Sequence, residues 1–160
     1  MTSSAETTGT EPAATIARAV TQALAGEVDV AAVYLFGSCA RGDSGPESDV
    51  DLGVVFVERT VTPARFGTIA DALAAAVARA TGIERVDVVD LAAQGPIFAH
   101  NALLDGKLVF EGDRARRLDF VTDTVSRAID FRPTYEIATR DKAGAMRRAL
   151  RADDLVREKP

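Results

Sequence analysis

The sequence has little of what several common functions require. Its 160 residues include one cysteine, Cys39, and one histidine, His100. A single thiol cannot close an internal disulfide, and no Cys/His zinc pattern surrounds it. This cysteine usage fits a reducing cytoplasm. Positive charge is not in excess: 19 Lys and Arg stand against 24 Asp and Glu, a formal net charge of -5. Binding nucleic acid by neutralising its backbone is therefore disfavoured, and no direct DNA-binding role is expected. No apolar run is long enough for a membrane-spanning helix, and the first residues lack the basic-then-apolar pattern of a signal peptide. The Gly-Lys-Ser or Gly-Lys-Thr ending of a Walker A loop is also missing. What is present is 47% apolar residues, enough for the core of one domain.

The patterning points to an α/β domain with a compact sheet and a helical C-terminal extension. Residues 1–12 are small and polar and read as a flexible start. Ile16, Val20 and Leu24 recur on one side of a helix over 13–25. The run VAAVYLF at 30–36 reads as a buried strand, and DVDLGVVFV at 49–57 as a second. The Gly-, Asp-, Ser- and Pro-rich stretch 40–48 between them reads as a loop. Phe66, Ile69, Leu73 and Val77 have helical spacing, with Gly82 as a stop. ERVDVVDL at 84–91 reads as a third strand, followed by a short helix near 95–104 and an apolar return at 108–110. The core then spans 13–110, and 111–160 is a helical extension of the same domain. Pro133 is expected to interrupt that extension, with a charged helix resuming over 134–157. The mixed charges of 111–119 read as a solvated helix face.

The chemistry concentrates in GSCARGDSGPESDVD, residues 37–51. Gly37 can bring backbone close to a phosphate, and the hydroxyl of Ser38 can donate to it. In a strand, Asp49 and Asp51 point to one face while Val50 and Leu52 point into an apolar layer. Two neighbouring carboxylates are costly to bury without a cation, so the pair suits magnesium. Asp87 reaches the same site if its strand lies beside 49–57, where it would ligate metal and help deprotonate an acceptor hydroxyl. Asp90 has the opposite strand parity and fits the turn before the next helix. Arg41 can make charge-assisted phosphate contacts, and Ser48 can position Asp49 by a local hydrogen bond. His100 fits a short helix without a catalytic role. Cys39 has no histidine near it in sequence to form a dyad.

Taken together, these residues resemble the nucleotidyltransferase superfamily. Its minimal bacterial members carry Gly-Ser, ten intervening residues and Asp-X-Asp, the spacing from Gly37-Ser38 to Asp49. The third carboxylate of that family corresponds to Asp87 in RVDVVDL. The continuation VDVVDLAAQGPIFAHNALLDGKLVFEGDRARRLDF resembles the minimal nucleotidyltransferases that act as antitoxins to HEPN-domain ribonuclease toxins.

The resemblance implies a small nucleotidyltransferase fold with a short mixed sheet and flanking helices. It implies ATP as co-substrate, magnesium (two ions) held by Asp49, Asp51 and Asp87, and phosphates held by Gly37 and Ser38; Arg41 and Ser48 complete the candidate cofactor-binding set, one as a phosphate helper and one through Asp49. The implied partner is a cognate HEPN toxin modified on a tyrosine; a homo- or hetero-oligomer is left open by the sequence. One position departs from the pattern: members commonly carry a basic residue directly after Gly-Ser, where this chain has Cys39. Two alternatives share the same core residues. One is a small-molecule nucleotidyltransferase of the antibiotic-modifying type, and the other is an antitoxin that inhibits by binding alone.

Overall fold

The computed structural model describes residues 10–42 and 48–157. Within them the chain folds as helix α1 (Thr10–Ala23), strand β1 (Val30–Phe36), a single-turn helix α2 (Gly37–Arg41), strand β2 (Val50–Phe56), helix α3 (Pro63–Thr81) and strand β3 (Val86–Asp90). A 3-10 turn at Leu91–Ala93 leads to helix α4 (Pro96–Asp105), strand β4 (Lys107–Glu111) and helix α5 (Arg114–Arg157). Local chemistry sets several of these boundaries. Thr62 caps α3 by accepting from the Arg65 amide at 3.2 Å, with Pro63 in the first helical position. Gly82 closes the helix in the left-handed conformation, φ 76°.

The four strands form one sheet in the order β3-β2-β1-β4. β1 pairs antiparallel with β2 and with β4, whereas β2 and β3 run parallel. The sheet is therefore mixed, as expected. Its parallel pair is allowed by α3, which crosses over between the two strands. Each face of the sheet carries its own apolar layer. Val33 and Leu35 of β1 and Val50, Leu52 and Val54 of β2 pack with Ile16 and Val20 of α1 and Leu73 and Val77 of α3. Ala32 and Tyr34 of β1, with Val55 of β2, pack on the other face with Leu91, Ala99, Ala102 and Phe120. Each fully buried aliphatic side chain contributes about 1.5–3 kcal/mol relative to exposure.

Gly53 lies where the second layer closes on the sheet. A Cβ built there would stand 2.7–2.9 Å from three Leu91 side-chain atoms. Leu91 is itself fully buried, so it has no room to retreat. Gly53→Ala is expected to lose about 1–3 kcal/mol of stability through this overpacking. Chemical denaturation would register the loss as a lower midpoint with an unchanged slope.

Three expectations change. α1 begins at Thr10, so the helix starts before residue 13; residues 1–9 lie outside the described residues. α5 runs unbroken through Pro133. The helix is exposed from Ile129 to Tyr135, so water can satisfy the carbonyl that proline strands and the cost does not end the helix. The charges of 111–119 are not simply a solvated face. Asp113 accepts from the Arg116 amide at 2.9 Å, and Arg116 Nε donates to the carbonyls of Phe56 and Val57 at 3.1 and 2.9 Å. Arg117 pairs with Glu111 at 2.5 Å and reaches the Tyr34 hydroxyl at 3.4 Å. These contacts bind the start of α5 to the ends of β2 and β4 and to Tyr34 within β1. Among the described residues, no helix is long and apolar enough to cross a membrane.

Candidate active site

The sheet register brings the expected carboxylates to one place. Asp51 lies opposite Asp87 across the parallel β2–β3 pair, and opposite Phe36 across the antiparallel β1–β2 pair. Paired residues share a face, so Asp51 and Asp87 lie side by side at one end of the sheet. Asp49 comes just before β2, two residues from Asp51, while Val50 between them is fully buried on the opposite face. Asp87 is exposed, and Asp49 and Asp51 are half-buried.

Gly37 closes the site from the β1 side. It follows the last residue of β1 and opens α2 with φ 71°, a conformation that other residues rarely adopt. A Cβ added here would overlap Asp51 Oδ2, so the carboxylate rests where a side chain would otherwise be. Ser38 follows at the start of α2, half-buried. Gly42 then ends α2 in the left-handed conformation, its amide donating to the Ser38 carbonyl. Arg41 is exposed at the end of α2. Ser48 is half-buried beside Asp49, and residues 43–47 of the connecting loop lie outside the described residues.

The electrostatics match this crowding. Burial is the largest influence raising the Asp51 pKa; the charges of Asp87 and Asp49 raise it further, and Arg41 opposes them. Asp49 Oδ1 is buried and accepts no hydrogen bond. Arg85 Nε comes within 3.0 Å of that oxygen, an ion pair by distance whose N–H is not aligned to donate. No group of three described His, Cys, Asp or Glu side chains forms a preformed metal cage. The three carboxylates instead make an open acidic rim. Its donors are all hard oxygens, one of them buried and unsatisfied, and this chemistry fits a divalent cation such as magnesium.

The remaining candidates take structural places. Asp90 Oδ1 accepts from the Ala92 amide at 2.9 Å and so caps the 3-10 turn, as its parity suggested. Burial is the main influence raising its pKa. His100 lies half-buried on α4. Cys39 is buried in the core, and its thiol donates to the Asp49 carbonyl at 3.3 Å. Cys39 thus ties the Gly-Ser turn to the first aspartate.

Sequence reasoning missed two features. Arg85 has the same parity as Asp87, two residues away, which was the available signal. The second is a cleft of about 150 Å³ beside Gly37, bounded by Phe36, Arg41, Phe98, Asn101 and Asp105. Phe98 meets Phe36 edge-on, with ring centroids 5.8 Å apart, and no local motif announces that contact.

Comparison with known proteins agrees with this architecture. A chain from a solved toxin–antitoxin complex with AMP-PNP superposes with a TM-score of 0.64 at 22% identity, covering 79% of this chain and 98% of that one. A chain from the MntA–HepT toxin–antitoxin complex gives 0.59 at 20% identity, covering 80% and 97%. A chain from the complex of the tri-AMPylated Shewanella oneidensis HEPN toxin with its MNT antitoxin gives 0.59 at 20% identity, covering 80% and 96%. At these identities the likeness shows a shared fold. No curated protein matches the chain. The sequence model described as Polymerase beta, Nucleotidyltransferase matches residues 18–115, which span the Gly-Ser turn and all three carboxylates. The chain therefore belongs to the polymerase beta nucleotidyltransferase family.

Proposed function

We propose that this chain transfers AMP from ATP to a hydroxyl of a protein acceptor, a tyrosine of a cognate HEPN-domain toxin, and thereby acts as its antitoxin. The observation that carries the reading is the alignment of Asp51 with Asp87 beside the positive-φ Gly37. Family membership supports nucleotidyl transfer. The solved structures of like fold support the choice of partner: their complexes pair toxin with antitoxin, one with AMP-PNP and one with an AMPylated HEPN toxin.

In this reading Gly37 lets a phosphate approach the backbone, and Ser38 donates its hydroxyl to the same group. Arg41 and Ser48 steady the nucleotide and Asp49 respectively. Asp49, Asp51 and Asp87 would hold magnesium, two ions in all, whose charge would stabilise the triphosphate and favour ionisation of the hydroxyl. Asp87, the most exposed of the three, accepts the acceptor's proton. The acceptor oxygen then bonds to the α-phosphorus of ATP, the bond to the β-phosphate oxygen breaks, and pyrophosphate leaves. Positioning and electrostatics supply the catalysis, and the chain forms no covalent bond to the nucleotide.

The test is transfer from ATP labelled at the α-phosphate, with magnesium, in an extract containing the native partner. The parent chain is expected to label one discrete protein, and folded Asp49→Ala plus Asp51→Ala chain to label none. Label on a small molecule would replace the protein acceptor with a small-molecule one. No transfer, together with an inhibitory complex that survives the double substitution, would refute catalysis and leave binding as the mechanism of inhibition.

A further inference from the structure

Asp49 differs from its two neighbours in what covers it. Its Oδ1 is buried without a hydrogen bond, an unfavourable state for an ionised oxygen. The cation beside it belongs to Arg85, whose side chain is 75% exposed against 32% for Asp49. The Arg85 backbone is fixed, because its carbonyl accepts from the Val50 amide at 3.0 Å where β2 and β3 begin to pair. A fixed backbone thus carries an exposed charge at the rim of the carboxylate cluster. The structural arginines look different. Arg117 is 16% exposed and donates a hydrogen bond to Glu111, and Arg65 clamps both Glu27 and Asp29. Arg85 neutralises Asp49 Oδ1 without satisfying it.

We propose that Arg85 is a placeholder cation: it covers Asp49 Oδ1 in the metal-free protein, competes with a divalent ion for that oxygen and gives it up when the ion binds. The inference rests on the reading that Asp49 and Asp51 hold a divalent cation. An ion binds the oxygen directly and needs no aligned N–H. An ion pair whose cation is exposed and misaligned contributes little and is readily displaced. Arg85 is thus a positioning residue that sets how much cation the site needs.

The experiment is a titration of the full chain with Mn²⁺ at low salt and without nucleotide, following unbound Mn²⁺ by electron paramagnetic resonance. Arg85→Gln is expected to bind Mn²⁺ about twofold to fivefold more tightly than the parent chain. Arg85→Lys, which keeps the charge, should stay close to the parent. High salt should shrink the gain by screening the competing charge. In an Asp49→Ala background, Arg85→Gln should change nothing, because the shared oxygen is gone. Unchanged or weaker Mn²⁺ binding by Arg85→Gln, with Asp49→Ala still impairing binding, overturns the placeholder and leaves the metal reading standing. Absence of Mn²⁺ binding by the parent, or binding indifferent to both Asp49→Ala and Asp51→Ala, overturns both.

Discussion

Asp51→Asn is expected to lower nucleotidyl transfer by at least about a thousandfold, since a metal-binding carboxylate supports several kcal/mol of transition-state stabilisation. The same substitution is expected to raise the thermal midpoint of the ligand-free protein. Burial first, and then the charges of Asp87 and Asp49, hold the Asp51 pKa above its ordinary value. The folded state therefore binds this proton more tightly than the unfolded chain does. For this group, stability rises as pH falls from the raised native value toward the ordinary carboxylate value. Above that window the carboxylate is ionised and its full penalty is present. Asparagine keeps the shape and removes the charge, so the midpoint should rise by about 2 °C at neutral pH for a partly exposed group. The advantage should shrink in acid. Calorimetry across pH, run beside the labelled-ATP assay, checks both halves. A variant that loses stability together with transfer would assign Asp51 a structural role instead.

Gly37→Ala is expected to damage both fold and site. Its φ of 71° costs a non-glycine residue about 1–2 kcal/mol. The added methyl also overlaps Asp51 Oδ2, so either the turn or the carboxylate must move. The combined loss should reach about 2 kcal/mol, a fall in the thermal midpoint of about 4–8 °C for a chain of this length. Transfer should fall at least about a hundredfold, because displacing a reacting group by even an ångström disrupts positioning. The two causes separate in an Asp51→Gly background. With the carboxylate removed, Gly37→Ala should cost only the backbone strain, and the difference between the two backgrounds measures the overlap. Equal costs in both would show that the two residues do not compete for space.

Much of this protein was legible in residues near one another in sequence. Period-two alternation placed Asp49 and Asp51 on one face and Val50 and Leu52 on the other, because strand geometry dictates it. Helical spacing placed Ile69, Leu73 and Val77 in the core, and glycine marked the end of α3. The Gly-Ser turn and the Asp-X-Asp pair are local patterns, so they could be read before any contact was known. The parity of Asp90 separated it from Asp87, and the fold uses Asp90 as a cap.

Whatever depends on distant residues meeting was set by how the elements pack. Nothing within 84–91 says that its strand lies parallel to β2; the pairing of Asp51 with Asp87 is a fact of register between separate segments. Pro133 looked like a helix breaker, but the solvent exposure around it lets α5 continue. Charges at 111–119 looked solvated until Arg116 found the carbonyls of Phe56 and Val57 across the chain. The reason is physical: periodicity records which face a side chain takes within its own element, whereas partners are chosen by packing that element against others. Local pattern was thus enough to read the family chemistry and the strand that bears it. Sheet order and packing decided which carboxylates become neighbours, and which arginine stands over them.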